Sequence, residues 1–225
     1  MRFSAQVGLS KFFQAHHYIE LNDLLSCKEV ENLGTLIDKA LEKRLGLSPD
    51  KLASLSFSDL FNAGRDLSRT NDEIKEFVCN KKFGEILYEI TGVKPIRFAY
   101  DQVFRFGHLD QDQPPLFSKP ETLATISSLQ GDLFGLMLTI KGGVETETPL
   151  FSKKTGNGVL FSSQHSLSFA PLYKHSDQCY LLVVFTSQIA VVIFNEKISH
   201  PFAFKQIGYA PGDTLRDDLN PILFR

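Results

Sequence analysis

At Pro95 the apolar residues of this chain change their spacing. Before it they recur three and four apart, as on one side of a helix. After it Phe98, Tyr100, Phe104 and Phe106 alternate with Arg97, Asp101 and Arg105, as on the two faces of a half-buried strand. A chain that switches period once folds as helices followed by a sheet, so the expected class is α+β. The expected organisation is a single domain over 1–225, with 1–92 mainly helical and 93–225 β-rich.

Within the helical part, Ser26 and Glu29 have the spacing of a capping box, in which each side chain satisfies a free amide at a helix start. Val30, Leu33, Ile37, Leu41 and Leu45 follow at helical period and Gly46 can close the last turn, which predicts a helix over 27–45. Ser48 and Pro49 predict a second, short helix. Two more are expected, one after Asp72 and Glu73, the other carrying Phe83, Ile86, Leu87 and Ile90 before Gly92. Val30, Leu33, Ile37, Ile86 and Leu87 should then bury against the sheet.

Beyond Pro95, strands are expected at 96–106, 123–129, 133–140, 159–163, 180–186, 189–194 and 202–207, with long polar loops at 107–120 and 141–157. Leu181, Val183, Val191 and Ile193 are expected inside the β-structure. The apolar stretch from Cys179 to Phe194 is interrupted by Thr186, Ser187 and Gln188, leaving two runs too short to span a bilayer.

Composition narrows the function classes. A hydrophobic fraction of 43% with 20 Phe residues among 225 supports a packed core rather than disorder. A net charge of -2 lacks the basic footprint of a nucleic-acid binder. Cys27, Cys79 and Cys179 are too far apart for a paired zinc spacing and odd in number, so they read as reduced thiols of a cytoplasmic protein. Residues 1–14 have no apolar run of signal-peptide length. The expected partner is a small molecule or a protein, with neither nucleic acid nor membrane.

The sharpest chemical feature is His108 with Asp110 two residues on, at the end of a strand. Joined by His165 after the strand 159–163, they could form two imidazoles and a carboxylate on one face of an iron ion. The bland alternative is an exposed polar loop. His16 and His17 are adjacent and cannot both face one metal, and His175 beside Asp177 has no nucleophile tied to it by a motif. Ser162 and Ser163 beside His165 lack the glycines of a strained nucleophile turn, and Gly156-Asn157-Gly158 reads as a hairpin closure.

Several stretches together resemble the phytanoyl-CoA hydroxylase-like branch of the Fe(II)/2-oxoglutarate-dependent oxygenases. His17 to Leu21 with Leu24-Leu25-Ser26 is similar to that family's opening strand and supporting helix, and Tyr100 to Phe104 to the strand before its metal motif. His108 to Pro115 resembles the metal-binding turn, Leu136 to Ile140 the apolar strand that follows, and Gly158 to His165 the strand carrying the second histidine. The resemblance implies N-terminal helices packed on a jelly-roll-like double-stranded β-helix. It implies Fe(II) held by His108, Asp110 and His165, and 2-oxoglutarate gripped by an arginine on the strand after the second histidine. Here that strand reads Gln178-Cys179-Tyr180-Leu181, and Lys174 is the nearest basic residue, a weak 2-oxoglutarate candidate. The loop before His108 is also shorter than the family's. The expected protein is therefore oxygenase-like with degenerate metal and cosubstrate sites. The alternatives are an active non-haem Fe(II)/2-oxoglutarate-dependent hydroxylase and a non-catalytic small-ligand or protein-binding module with a Phe-rich interior.

Overall fold

The computed structural model describes residues 7–106, 119–142, 150–169, 178–187, 189–195 and 204–225. Helix α1 (Val7–His16) leads into strand β1 (Tyr18–Leu21), and α2 (Cys27–Leu45) follows with the bounds that its caps predict. The Ser26–Glu29 capping box is formed in both directions, and Gly46 closes the helix in the left-handed conformation at φ 65°. After α2 come α3 (Pro49–Ala53), α4 (Phe57–Ala63), a 3-10 turn (Leu67–Arg69), α5 (Asp72–Val78) and α6 (Lys81–Thr91). Helices α1 and α4 were not anticipated from the sequence.

The main antiparallel sheet has six strands in the order β1-β6-β5-β8-β2-β10. Its members are β2 (Ile96–Phe106), β5 (Leu133–Lys141), β6 (Gly158–Ser162), β8 (Gln178–Thr186) and β10 (Ile222–Phe224), with β1 at one edge. Two further pairs stand apart: β3 (Glu121–Thr122) with β7 (Ser166–Leu167), and β4 (Leu129–Gln130) with β9 (Val191–Val192).

Alternation along the strands divides the apolar residues between two cores. Leu136, Leu138, Ile140, Leu181, Val183 and Phe185 face the helices, where Val30, Leu33, Ile37, Ile86 and Leu87 are buried against them as expected. Met137, Tyr180, Leu182 and Val184 face the other way. There they meet Leu123, Leu129, Leu167 and Val192 of the small pairs and their flanks, with Phe104, Phe151, Phe161 and Phe169 between. With both faces covered, all nine residues of β8 are buried.

Four expectations are corrected. Strand β2 is buried on both faces over 96–104, because its polar residues are paired inside the protein rather than hydrated. Residues 123–126 form a turn, closed by bonds between Thr122 and Thr125, and the buried Leu123, Ile126 and Leu129 recur at three rather than two. Residues 204–206 are helical, and the turn after them closes with Gly208 at φ 86°. In 189–194 only Val191–Val192 is strand: pairing with β4 turns Val192 inward, leaves Val191 and Ile193 half-buried, and leaves Ile189 and Phe194 exposed.

Candidate functional site

His165 stands at the junction of β6 and β7. The turn that carries it is fixed at both ends, since Ser163 N–H donates to Leu133 O (2.9 Å) and His165 N–H to Ser162 O (3.1 Å). Pairing of Glu121 with Leu167 and of Thr122 with Ser166 then sets β7 against β3. The imidazole lies 5.0 Å from the Tyr18 ring and 6.2 Å from the Phe161 ring, centroid to centroid. Its Nε2 is enclosed and has no hydrogen-bond partner among the described residues. Burial, then the neighbouring His17, holds the imidazole below the usual histidine range, so the neutral form is favoured.

Two other histidines lie in this region. His16 ends α1 with its ring 4.3 Å from that of Phe12. His17, in the left-handed conformation at φ 63°, lines a cleft of about 270 Å³ that also touches Asp132, Ser162 and Ser163. Among the described residues no three His, Cys, Asp or Glu side chains lie close enough to hold a metal ion. His108, Asp110 and Lys174 lie outside the described residues, as do His175 and Asp177. The triad His108, Asp110 and His165 is thus represented by His165 alone, and the described residues do not by themselves make an iron site.

At the start of β8, Gln178 and Cys179 are buried, and Gln178 Oε1 accepts from Tyr180 Oη at 3.3 Å. Cross-strand register sets Arg105 on one side of Cys179 and Lys141 on the other. These cations belong to the helix side of the sheet, where Arg105 pairs with Asp38 of α2. The three residues share a cleft of about 410 Å³ with Gly34 and Thr35. The sequence signal for it was available only in part: Arg105 sits on the strand, but nothing local names Asp38 as its partner.

A buried charge network, also unforeseen, ties the 64–70 loop to β2. Asp101 is fully buried and accepts from Leu67 N–H (2.9 Å), Ser68 N–H (3.3 Å) and the Ser68 hydroxyl. Burial and the nearby Asp66 carboxylate push it up to about 6 despite those donors. Arg65 stacks on Tyr100, its guanidinium carbon 3.4 Å from the ring centroid, and lies 3.5 Å from Asp66. Arg69 donates to Leu219 O and Ala99 O, so one loop clamps the strand and the C-terminal segment together.

No family profile matches the chain, and no curated protein does. Solved structures do. The non-heme alpha ketoglutarate dependent epimerase SnoN from nogalamycin biosynthesis superposes with a TM-score of 0.70 at 12% identity, over 97% of this chain and 98% of that one. The alpha ketoglutarate dependent carbocyclase SnoK from the same biosynthesis gives 0.66 at 13% identity, over 97% and 96%. CytC3, also solved with Fe(II) and alpha-ketoglutarate, gives 0.61 at 13% identity, over 85% and 81%. At such identity the likeness shows the fold: helices and an antiparallel sheet arranged as in these oxygenases.

Proposed function

We propose that this chain is an oxygenase-fold protein of the phytanoyl-CoA hydroxylase-like branch, its strands wound as a jelly-roll-like double-stranded β-helix, with degenerate iron and 2-oxoglutarate sites. The setting of His165 carries the reading. Its Nε2 is enclosed by its surroundings, with the Tyr18 and Phe161 rings against the imidazole, and no second imidazole or carboxylate among the described residues joins it in a group that could hold a metal. Three metal bonds of about 2.1 Å must converge on one ion, with a partner fixing each imidazole. Gln178 and Cys179 supply no planar cationic fork at the start of β8, and Lys174 as a point charge would replace it poorly. Such a protein binds a small molecule or another protein without turnover. None of Cys27, Cys79 and Cys179 is held in a disulfide, which supports a cytoplasmic setting. No described helix is long and apolar enough to cross a membrane.

The second reading is an active hydroxylase using His108, Asp110 and His165. The observation in its favour is the same orphan nitrogen: a neutral imidazole with a free Nε2 is what a metal requires. Metal analysis of protein purified without chelator separates the two, followed by calorimetric titration with Fe(II) or Mn(II) and then 2-oxoglutarate. The expected result is no stoichiometric metal and no 2-oxoglutarate decarboxylation. Saturable binding of both, lost in His165→Ala, would establish the enzyme.

A further inference from the structure

Away from the sheet interior, the second half of α2 and the two residues ahead of α5 flank a cleft of about 560 Å³ lined by Lys39, Ala40, Lys43, Arg44, Thr70 and Asn71. Among the described residues, every charged one on its wall is a cation. Lys39 and Lys43 are four apart, so they project from one side of α2, and neither ammonium meets a carboxylate among the described residues.

The third cation is held in place. Arg44 Nη1 donates to Ala63 O (2.8 Å) and Arg65 O, and Nη2 to Asp66 O (3.2 Å) and Thr70 Oγ1 (2.9 Å). Four of its five N–H groups are thereby committed to the 63–70 loop, leaving Nε–H. Asn71 uses its Oδ1 to cap α5 through Ile74 N–H (3.0 Å), which leaves its amide Nδ2 as a further donor. The unused polar groups of this concavity are therefore donors, with no acidic side chain on the wall to answer them.

The charge beneath points the same way. Arg44, Arg65 and Arg69 gather around Asp66 and Asp101, so cations outnumber carboxylates there. Arg65 is buried against Tyr100 with its Nε 3.5 Å from Asp66 Oδ2, so Asp66 is shared among several guanidinium groups. An anion in the cleft would be attracted by both the wall and this interior charge.

We propose that this cleft binds the phosphate group of a small phosphorylated molecule. Two flexible ammonium groups and a fixed guanidinium suit a multiply charged tetrahedral oxyanion, since lysine acts on phosphate as a mobile point charge. The volume lies within the range of small-molecule sites, about 300–1,000 Å³. This site is independent of the iron and 2-oxoglutarate reading.

Calorimetric titration of the full chain with pyrophosphate at neutral pH, at low and near-physiological salt, tests it. One-site saturable binding is expected, tighter than that of citrate. The double variant Lys39→Gln, Lys43→Gln should weaken it by at least about tenfold through loss of charge-assisted bonds, whereas Lys11→Gln on α1 should not. Both lysines are exposed, so the double variant should keep the parent melting temperature. Non-saturable heats, equal affinity in the double variant, or citrate binding as tight as pyrophosphate would overturn the assignment.

Discussion

Asp101 shows how a single buried carboxylate can set the pH response of the molecule. Its folded value of about 6 stands above the ordinary aspartate value of about 3.9, because burial and Asp66 penalise the charge more than Ser68 and Arg65 stabilise it. Between those values the native protein keeps a proton that the unfolded chain has lost. This contribution to stability is therefore full below about pH 4, declines as pH rises to about 6 and is flat beyond. Two pKa units correspond to about 3 kcal/mol, an upper scale for the effect. Urea midpoints measured from pH 4 to 7 should show that decline in the parent protein and lose it in Asp101→Asn. An unchanged slope would place the titration elsewhere. Gly135 makes a second residue-level case, because a Cβ built there would stand 2.2 Å from Phe161 Cζ across the β5–β6 pair. Gly135→Ala should displace a buried ring and lower stability by about 1–3 kcal/mol, readable as a lower melting temperature.

Among the elements, β8 is the most constrained. It lies between β5 and β2, and its side chains alternate between the helix-facing core and the inner core. Val183 faces Leu136 on one neighbour and Asp101 on the other. Val183→Asp would put a second buried carboxylate opposite Asp101, so a loss of about 3–5 kcal/mol is expected. Chemical denaturation of that variant checks it, and a normal midpoint would show that the strand yields without cost. By contrast, β9 is two residues long and, among the described residues, is held by β4, a bridge to Thr214 and backbone bonds with Gly212 and Asp213. Its short pairing explains how Ile189 and Phe194 remain exposed in an apolar run whose composition suggested a buried strand.

For the whole molecule, the helices share one core with the sheet: α2 lies on β5, α4 and α6 on β2, and α6 also on β10. The single-domain expectation then takes a testable form. Far-ultraviolet dichroism, which reports the helices, and near-ultraviolet dichroism, which reports the Phe- and Tyr-rich inner core, should unfold with one midpoint. Two separated transitions would divide the chain near Pro95. What the sequence by itself determined is local. Ser26, Glu29 and Gly46 specify α2 to the residue because a cap needs only neighbours within one turn, while alternation marks β2 and short continuous apolar runs bounded by turn residues mark β5 and β8. The tertiary structure decided whatever depends on a partner far along the chain. Arg97 and Asp101 read as solvent-facing until Asn220 and Ser68 supplied their hydrogen bonds, and Val191 read as buried until β4 set the register of its strand. The same reason governs the sites. His165 was visible as a residue, but its enclosure by Tyr18 and Phe161 and the gathering of Lys39, Lys43 and Arg44 against Thr70 arise only where separate segments meet in space.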